Sequence, residues 1–252
     1  MKKKLLYSGF LVMVFLISVV AHIPASLVMN QLSSSEVMRV TGVDGTVWSG
    51  SAQQLFWQGQ NVGDLNWDIQ VSQLLMAKFE VAVRFGRGSD MGVRGKGNLG
   101  LGFSGPYADK VVVSVAANKL ATLFPLPVPV TFQGQVELSL NHYRYDSPWC
   151  ESAEGSLAWT HGRVDSPLGE LSLGPVVADL QCQSNQMTLN GQQNSEQMSS
   201  EFALQLQPDM SYSAKAWFKP EAQFPPEMAE QLQWIGAPDN QGKYQFNYQG
   251  QL

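Results

Sequence analysis

The sequence predicts a mainly β protein: one curved, mostly antiparallel sheet of many strands with few short helices, preceded by a single N-terminal transmembrane helix. Three observations carry this. The 252 residues include 23 Gly, yet only 15% are charged; that is the balance of solvated antiparallel sheet, whereas a helical bundle would be far richer in Glu, Lys and Ala. Short runs alternate apolar and polar with period two and are separated by turn signals. A long run without formally charged side chains, broken by nothing more polar than His22, opens the chain after three lysines.

Residues 5–23 form that run. At ~1.5 Å rise per residue its helix is about 28 Å long, enough to span a bilayer core. Lys2, Lys3 and Lys4 on the short side predict a cytoplasmic N-terminus. The rival reading is a cleaved signal peptide, with Val19 and Ala21 at the −3 and −1 positions, but the run exceeds the roughly 7 to 15 residues of a signal core. The expected organisation is a cytoplasmic segment 1–4, a transmembrane anchor 5–23 and an exported β-rich domain 24–252. The combination points to a bacterial inner-membrane protein facing the periplasm.

Beyond the anchor, alternation is clear from residue 37 onward. Phe79, Val81, Val83 and Phe85 face one way while Glu80, Ala82 and Arg84 face the other. Comparable runs cover 46–57, 62–71, 91–103, 111–116, 131–140, 176–181, 186–189, 200–207, 212–218 and 243–251. Asp44-Gly45, Gln58-Gly59, Asn190-Gly191 and Pro208-Asp209 mark turns between them. Short connections imply antiparallel pairing, since parallel neighbours need crossover helices. Two short helices are expected. One follows Pro225-Pro226, with Met228, Leu232 and Ile235 on one face and Gly236 and Pro238 ending it; the other lies around 118–124. The proline-rich stretch 124–130 reads as an extended connector, so that two β-rich halves join near 119–130.

Net charge is −5; without the three N-terminal lysines, 13 basic residues face 21 acidic ones, or −8. A general nucleic-acid binder needs a basic surface, so that class is excluded. The two cysteines, Cys150 and Cys182, lie in an oxidising compartment without the partner set of a four-ligand metal site, and are expected to form a disulfide. A redox-active pair would normally be a C-x-x-C motif. Closing their loop stabilises by up to about 3.7 kcal/mol in the chain-entropy picture.

Catalytic motifs are missing. Gly95-Lys-Gly-Asn-Leu-Gly100 matches the dinucleotide fingerprint, but the alternation of Val93, Gly95, Gly97, Leu99, Leu101 and Phe103 continues through it without a helix, so it reads as a glycine-softened strand. His22, His142 and His161 lack the spacing of a metal site. Glu151 with Glu154, and Asp165 with Glu170, read as surface charge. No cofactor and no metal are expected. The seven tryptophans, Trp48, Trp57, Trp67, Trp149, Trp159, Trp217 and Trp234, pack a sheet or line an apolar face that accepts a lipid chain or a partner strand.

The segment Val40-Thr-Gly-Val-Asp-Gly-Thr-Val-Trp-Ser-Gly-Ser-Ala52 resembles the general secretion pathway protein N family of the type II secretion system, in which G-x-x-G-T-x-W-S-G-x-A follows a membrane anchor. Asp64-Leu-Asn-Trp-Asp-Ile-Gln-Val-Ser-Gln-Leu-Leu75 and the closing Gly242-Lys-Tyr-Gln-Phe-Asn-Tyr-Gln-Gly250 agree. The resemblance implies an accessory inner-membrane component, not an enzyme, that helps export folded proteins from the periplasm across the outer membrane. Implied partners are the bitopic components C, L and M and the outer-membrane channel. The signature residues Gly42, Gly45, Thr46, Trp48, Ser49 and Gly50 carry a structural or interaction role: turns at Gly42 and Gly45, packing by Trp48, close contact at Gly50. Kinship with AsmA-type periplasmic proteins supplies an alternative function, a lipid-binding or lipid-transfer groove.

Overall fold

The computed structural model describes residues 2–32, 37–121 and 129–251, with the side chains of residues 2–6, 8, 30–32 and 121 outside that description. Thirteen strands follow one another in a single antiparallel sheet whose spatial order is the chain order. They are β1 (Met38–Gly45), β2 (Ser49–Trp57), β3 (Gln60–Ile69), β4 (Phe79–Phe85), β5 (Arg94–Gly102), β6 (Gly105–Ala116), β7 (Thr131–Arg144), β8 (Ser152–Ser166), β9 (Gly169–Gln183), β10 (Gln186–Asn194), β11 (Met198–Leu206), β12 (Ser211–Pro220) and β13 (Tyr244–Gln251). The helices are α1 (Lys2–Ala21), α2 (Ala25–Leu32), α3 (Val71–Leu74), α4 (Ala117–Ala121) and α5 (Pro226–Gln231).

Register explains why so few helices suffice. One row of directly opposed residues crosses every strand: Val43, Ala52, Leu65, Phe85, Gly95, Val113, Leu138, Leu157, Ala178, Gly191, Phe202, Ala216 and Phe246. None of these side chains is polar. The neighbouring row, on the opposite face, runs Asp44, Ser51, Asn66, Arg84, Lys96, Val112, Ser139, Ser156, Asp179, Asn190, Ala203, Lys215 and Asn247. The period-two side-chain alternation of extended chain thus yields one apolar and one largely polar face.

Five glycines of this sheet are opposite aromatic rings. Gly50 faces Trp67, Gly95 faces Phe85, Gly100 faces Tyr107, Gly191 faces Phe202 and Gly250 faces Tyr212 in register. A Cβ added at Gly191 would sit 2.1 Å from Phe202 Cζ, and one at Gly100 would sit 2.2 Å from Tyr107 Cζ. Each ring folds across the strand partner that lacks a side chain, burying apolar surface within the sheet itself. The fingerprint-like 95–100 segment is therefore strand, with Gly95 and Gly100 used as seats for Phe85 and Tyr107.

β6 pairs directly with β7, so the two expected halves form one continuous sheet. The connector expected at 124–130 lies mostly outside the described residues, as does the end of the helix expected at 118–124. α1 carries the N-terminal apolar run as far as Ala21, two residues short of the expected span. Among the described residues no helix is long and apolar enough to cross a membrane.

α2 covers the apolar face at one end only. Ala25 of α2, Val40, Ala52 and Trp67 are buried together, with Met29, Leu65, Val81 and Val83 packed around them. Farther along, the same face is half-buried, and Leu99, Leu101 and Leu204 are 44%, 56% and 42% exposed.

Candidate functional site: the signature loop and the end of the N-terminal helix

Three residues, Thr46 to Trp48, join β1 to β2, where the sequence predicted that the strand would already have begun. Gly45 turns the chain with φ +93°, a conformation that glycine adopts at no steric cost. Thr46 N–H then donates to Ser49 O at 2.9 Å, and Ser49 N–H donates to Thr46 Oγ1 at 3.3 Å. A Cβ on Gly45 would lie 2.7 Å from Ser49 O, so the loop closes only around glycine.

This loop grips the end of α1. The Trp48 indole N–H donates to Val20 O at 2.8 Å, one of the last carbonyls of the helix, whose other bond is a long one of 3.5 Å from Ile23 N–H. Val47 N–H donates to Ile23 O at 3.0 Å, and Pro24 forms an isolated bridge with Thr46. On the sheet side, the Trp67 indole donates to Val47 O at 3.1 Å and Ile69 N–H donates to Trp48 O at 2.7 Å. The chain around Trp48 is therefore bonded to the helix end and to β3 at once. Gly50 completes the arrangement by letting the Trp67 ring lie against β2.

Five of the six signature residues lie on this stretch. Gly42, with φ +64°, sits apart in β1 beside Gln53; Gly45, Thr46, Trp48, Ser49 and Gly50 form the junction. Trp48, of which a packing role was expected, makes a hydrogen bond whose acceptor lies 28 residues away. Reading the sequence did not reveal α2, Val20 or Ile23 as parts of this site. Pro24 immediately before Ala25 was the available signal, since proline favours a helix start.

Between α2 and the sheet lies a cavity of about 270 Å³ lined by Ala25, Val28, Met29, Val47, Leu65, Trp67, Ile69, Phe79, Val81 and Val83. Every lining residue is apolar except for its backbone, and such a space favours apolar guests over water.

Cys150 and Cys182 are joined in a disulfide, with Cα atoms 6.4 Å apart. Both are fully buried beside Tyr143, Trp149, Ala153 and Met187, an environment that hides the sulfurs from a redox partner. Asn185 Oδ1 accepts from the backbone N–H groups of Trp149 and Cys150, at 3.2 and 3.0 Å, and so fastens the same loop to the β9–β10 turn.

The carboxylates are not arranged for acid–base work. Glu154 lies 3.9 Å from His142, Glu170 pairs with Arg163 at 3.1 Å, and Asp165 accepts from Gln133. The buried acid is Glu80, which accepts from the Tyr107 hydroxyl at 2.8 Å and from Asn98 Nδ2 at 3.0 Å. Burial, reinforced by the hydrogen bond to Glu80, pushes the Tyr107 phenol up to about 12. No group of three or more His, Cys, Asp or Glu side chains suited to a metal occurs among the described residues. The tryptophans divide: Trp67 is buried, Trp149 and Trp159 donate to backbone carbonyls of Gln207 and Gln133, and Trp57 and Trp234 are 51% and 81% exposed.

Residues 36–247, which include the signature and the whole sheet as far as mid-β13, match the family described as type II secretion system (T2SS), protein N. The chain belongs to this family. It is 50% identical over 252 residues to the type II secretion system protein N of Vibrio cholerae, covering 100% of both chains. It is 30% identical over 255 residues to the protein of the same name from Aeromonas hydrophila, again covering both fully, and 27% identical to that of Pectobacterium carotovorum over 85% of this chain and 84% of the relative. No solved structure matches. Membership makes the chain a component of type II secretion, a protein-transport system of the bacterial envelope, and implies contact with other secretion-system proteins. The family is a secretion component and is not known as an enzyme.

Proposed function

We propose that the chain is an accessory component of the inner membrane that helps export folded periplasmic proteins across the outer membrane by binding other parts of the secretion system. In this reading the apolar run 5–23 crosses the membrane once, the N-terminus is cytoplasmic and residues 24–252 are periplasmic. The observation that supports it is the junction: Trp48 and Val47 bond the end of an apolar helix to the rim of a large sheet. Phe10, Leu11, Phe15 and Ile17 of that helix are 67%, 69%, 65% and 57% exposed, a surface suited to lipid. A helix fixed to the sheet in this way would hold the periplasmic domain in one orientation above the bilayer. The bitopic components C, L and M, and the outer-membrane channel, are the proposed partners.

The test is affinity purification of the full-length protein from its native envelope in mild detergent, with mass spectrometry of co-purifying proteins and lipids. Recovery of the C, L or M components is expected. Recovery of the protein free of every secretion component would overturn the reading.

A second reading is favoured by the apolar row and by the 270 Å³ cavity: a lipid-handling groove. It requires tightly held phospholipid in the same purification, lost when Val81 or Val83 is replaced by Asp in a protein that still folds. Absence of bound lipid from the wild type sinks it.

A further inference from the structure

The two edges of the sheet are unlike. β1 carries Arg39 and Asp44, is kinked at Gly42 with φ +64°, and is packed by α2, features that keep an edge from pairing with another chain. β13, Tyr-Gln-Phe-Asn-Tyr-Gln-Gly-Gln, has no charged residue and no proline, and it pairs with β12 from Tyr244 to Gln251 without a register shift. Its outer backbone groups meet no further strand among the described residues. A long, uncharged, regular edge is a template for strand addition.

We propose that β13 pairs antiparallel with β13 of a second copy of this chain, around a two-fold axis at Asn247. The strand's own sequence fits this pairing. Directly opposed residues share a face, so Asn247 meets Asn247, Gln245 meets Gln249 and Phe246 meets Tyr248 in both halves of the pair. Amides oppose amides on the polar face. Aromatic rings oppose aromatic rings on the other, a favourable cross-strand combination, and no charge meets a like charge although the chain is net acidic. The Phe218–Tyr244 and Phe218–Phe246 stacks, with centroids 5.1 and 5.9 Å apart, already bring an aromatic cluster to this edge, and Tyr248 is 63% exposed beside it. The pairing extends both faces of the sheet from one copy into the next. With β1 guarded, head-to-tail growth from β13 onto β1 is blocked, so assembly closes at two copies.

The inference is independent of the proposed secretion partners and is tested on the isolated full-length protein in detergent. Sedimentation with the detergent density-matched should give twice the chain mass, falling to the single-chain mass for Asn247→Lys, which sets two lysines face to face. Because both native cysteines are in a disulfide, a single Asn247→Cys substitution should cross-link to a dimer under mild oxidation. Tyr248→Cys should not, since its counterpart lies diagonally, about 7–8 Å away. Circular dichroism of each variant establishes that the sheet is intact; Gln245→Lys serves as a second edge substitution where Asn247→Lys fails to fold. Three results would each overturn the pairing: a single-chain mass for the wild type, a dimer that survives both lysine substitutions, or cross-linking of the Tyr248→Cys variant but not of the Asn247→Cys variant.

Discussion

Replacing Gly50 with alanine places a methyl group where the junction has no room for one. An ideal Cβ there lies 2.4 Å from Trp67 Cζ2 and 2.6 Å from Asp44 O, against a carbon–carbon optimum of about 3.5–4.0 Å. The carbonyl belongs to the backbone of β1 and the ring is buried under α2, so neither neighbour yields freely. Overpacking of this kind costs about 1–3 kcal/mol. Displacing the ring also breaks the Trp67 hydrogen bond to Val47 O, adding about 1 kcal/mol. Gly50→Ala is therefore expected to destabilise by about 2–4 kcal/mol, read by denaturant unfolding of the purified full-length protein. Gly102→Ala, whose nearest neighbour is 3.7 Å away, is the control and should fall within about 0.5 kcal/mol of wild type. Trp67→Ala alone should cost about 3–5 kcal/mol. The double variant should cost at least about 1 kcal/mol less than the sum, because the ring struck by the new methyl and its hydrogen bond to Val47 are already gone. A Gly50→Ala protein as stable as the Gly102→Ala control would refute the steric account of the signature.

Two further outcomes are expected. The Tyr107 phenol has its pKa raised from 10.0 to about 12 in the fold, so its contribution is fully present below pH 10 and is lost as pH rises from about 10 through about 12. Tyr107→Phe should flatten the alkaline limb of the stability curve in that window, and an unchanged limb would count against the Glu80–Tyr107 contact. Reducing the Cys150–Cys182 disulfide should lower stability by up to about 3.7 kcal/mol, the chain-entropy figure for this loop, and it should proceed only with denaturant present because both sulfurs are buried; thiol labelling of the unreduced native protein would contradict the bond.

Strand alternation made most of the sheet legible. β4 occupies the residues its pattern marked, and β13 begins one residue later than expected. β8 was missed although it has 15 residues. Ala153, Gly155, Leu157 and Trp159 keep period two, but a bulge at His161, with φ +53°, reverses the phase so that Val164 and not an odd-numbered residue opposes Phe132. A bulge inserts one residue and breaks the pattern on which the reading depends. The junction was legible in its residues and not in its purpose. Gly45 and Gly50 announce a turn and a close approach, but the Trp48 donor and its Val20 acceptor are brought together only by the fold. The continuity of the sheet through β6 and β7 was likewise hidden, because a proline-rich connector says nothing about whether the strands on either side of it pair.

Hydrogen exchange at the Val47 amide and the Trp48 indole, in full-length protein embedded in lipid, reads whether the signature loop binds the end of the N-terminal helix to the sheet. Both protons should exchange slowly in the wild type, and both should exchange much faster in a variant whose residues 2–24 are removed, since Val20 and Ile23 supply the acceptors. Equal exchange with and without the helix would mean that the loop does not hold the helix end.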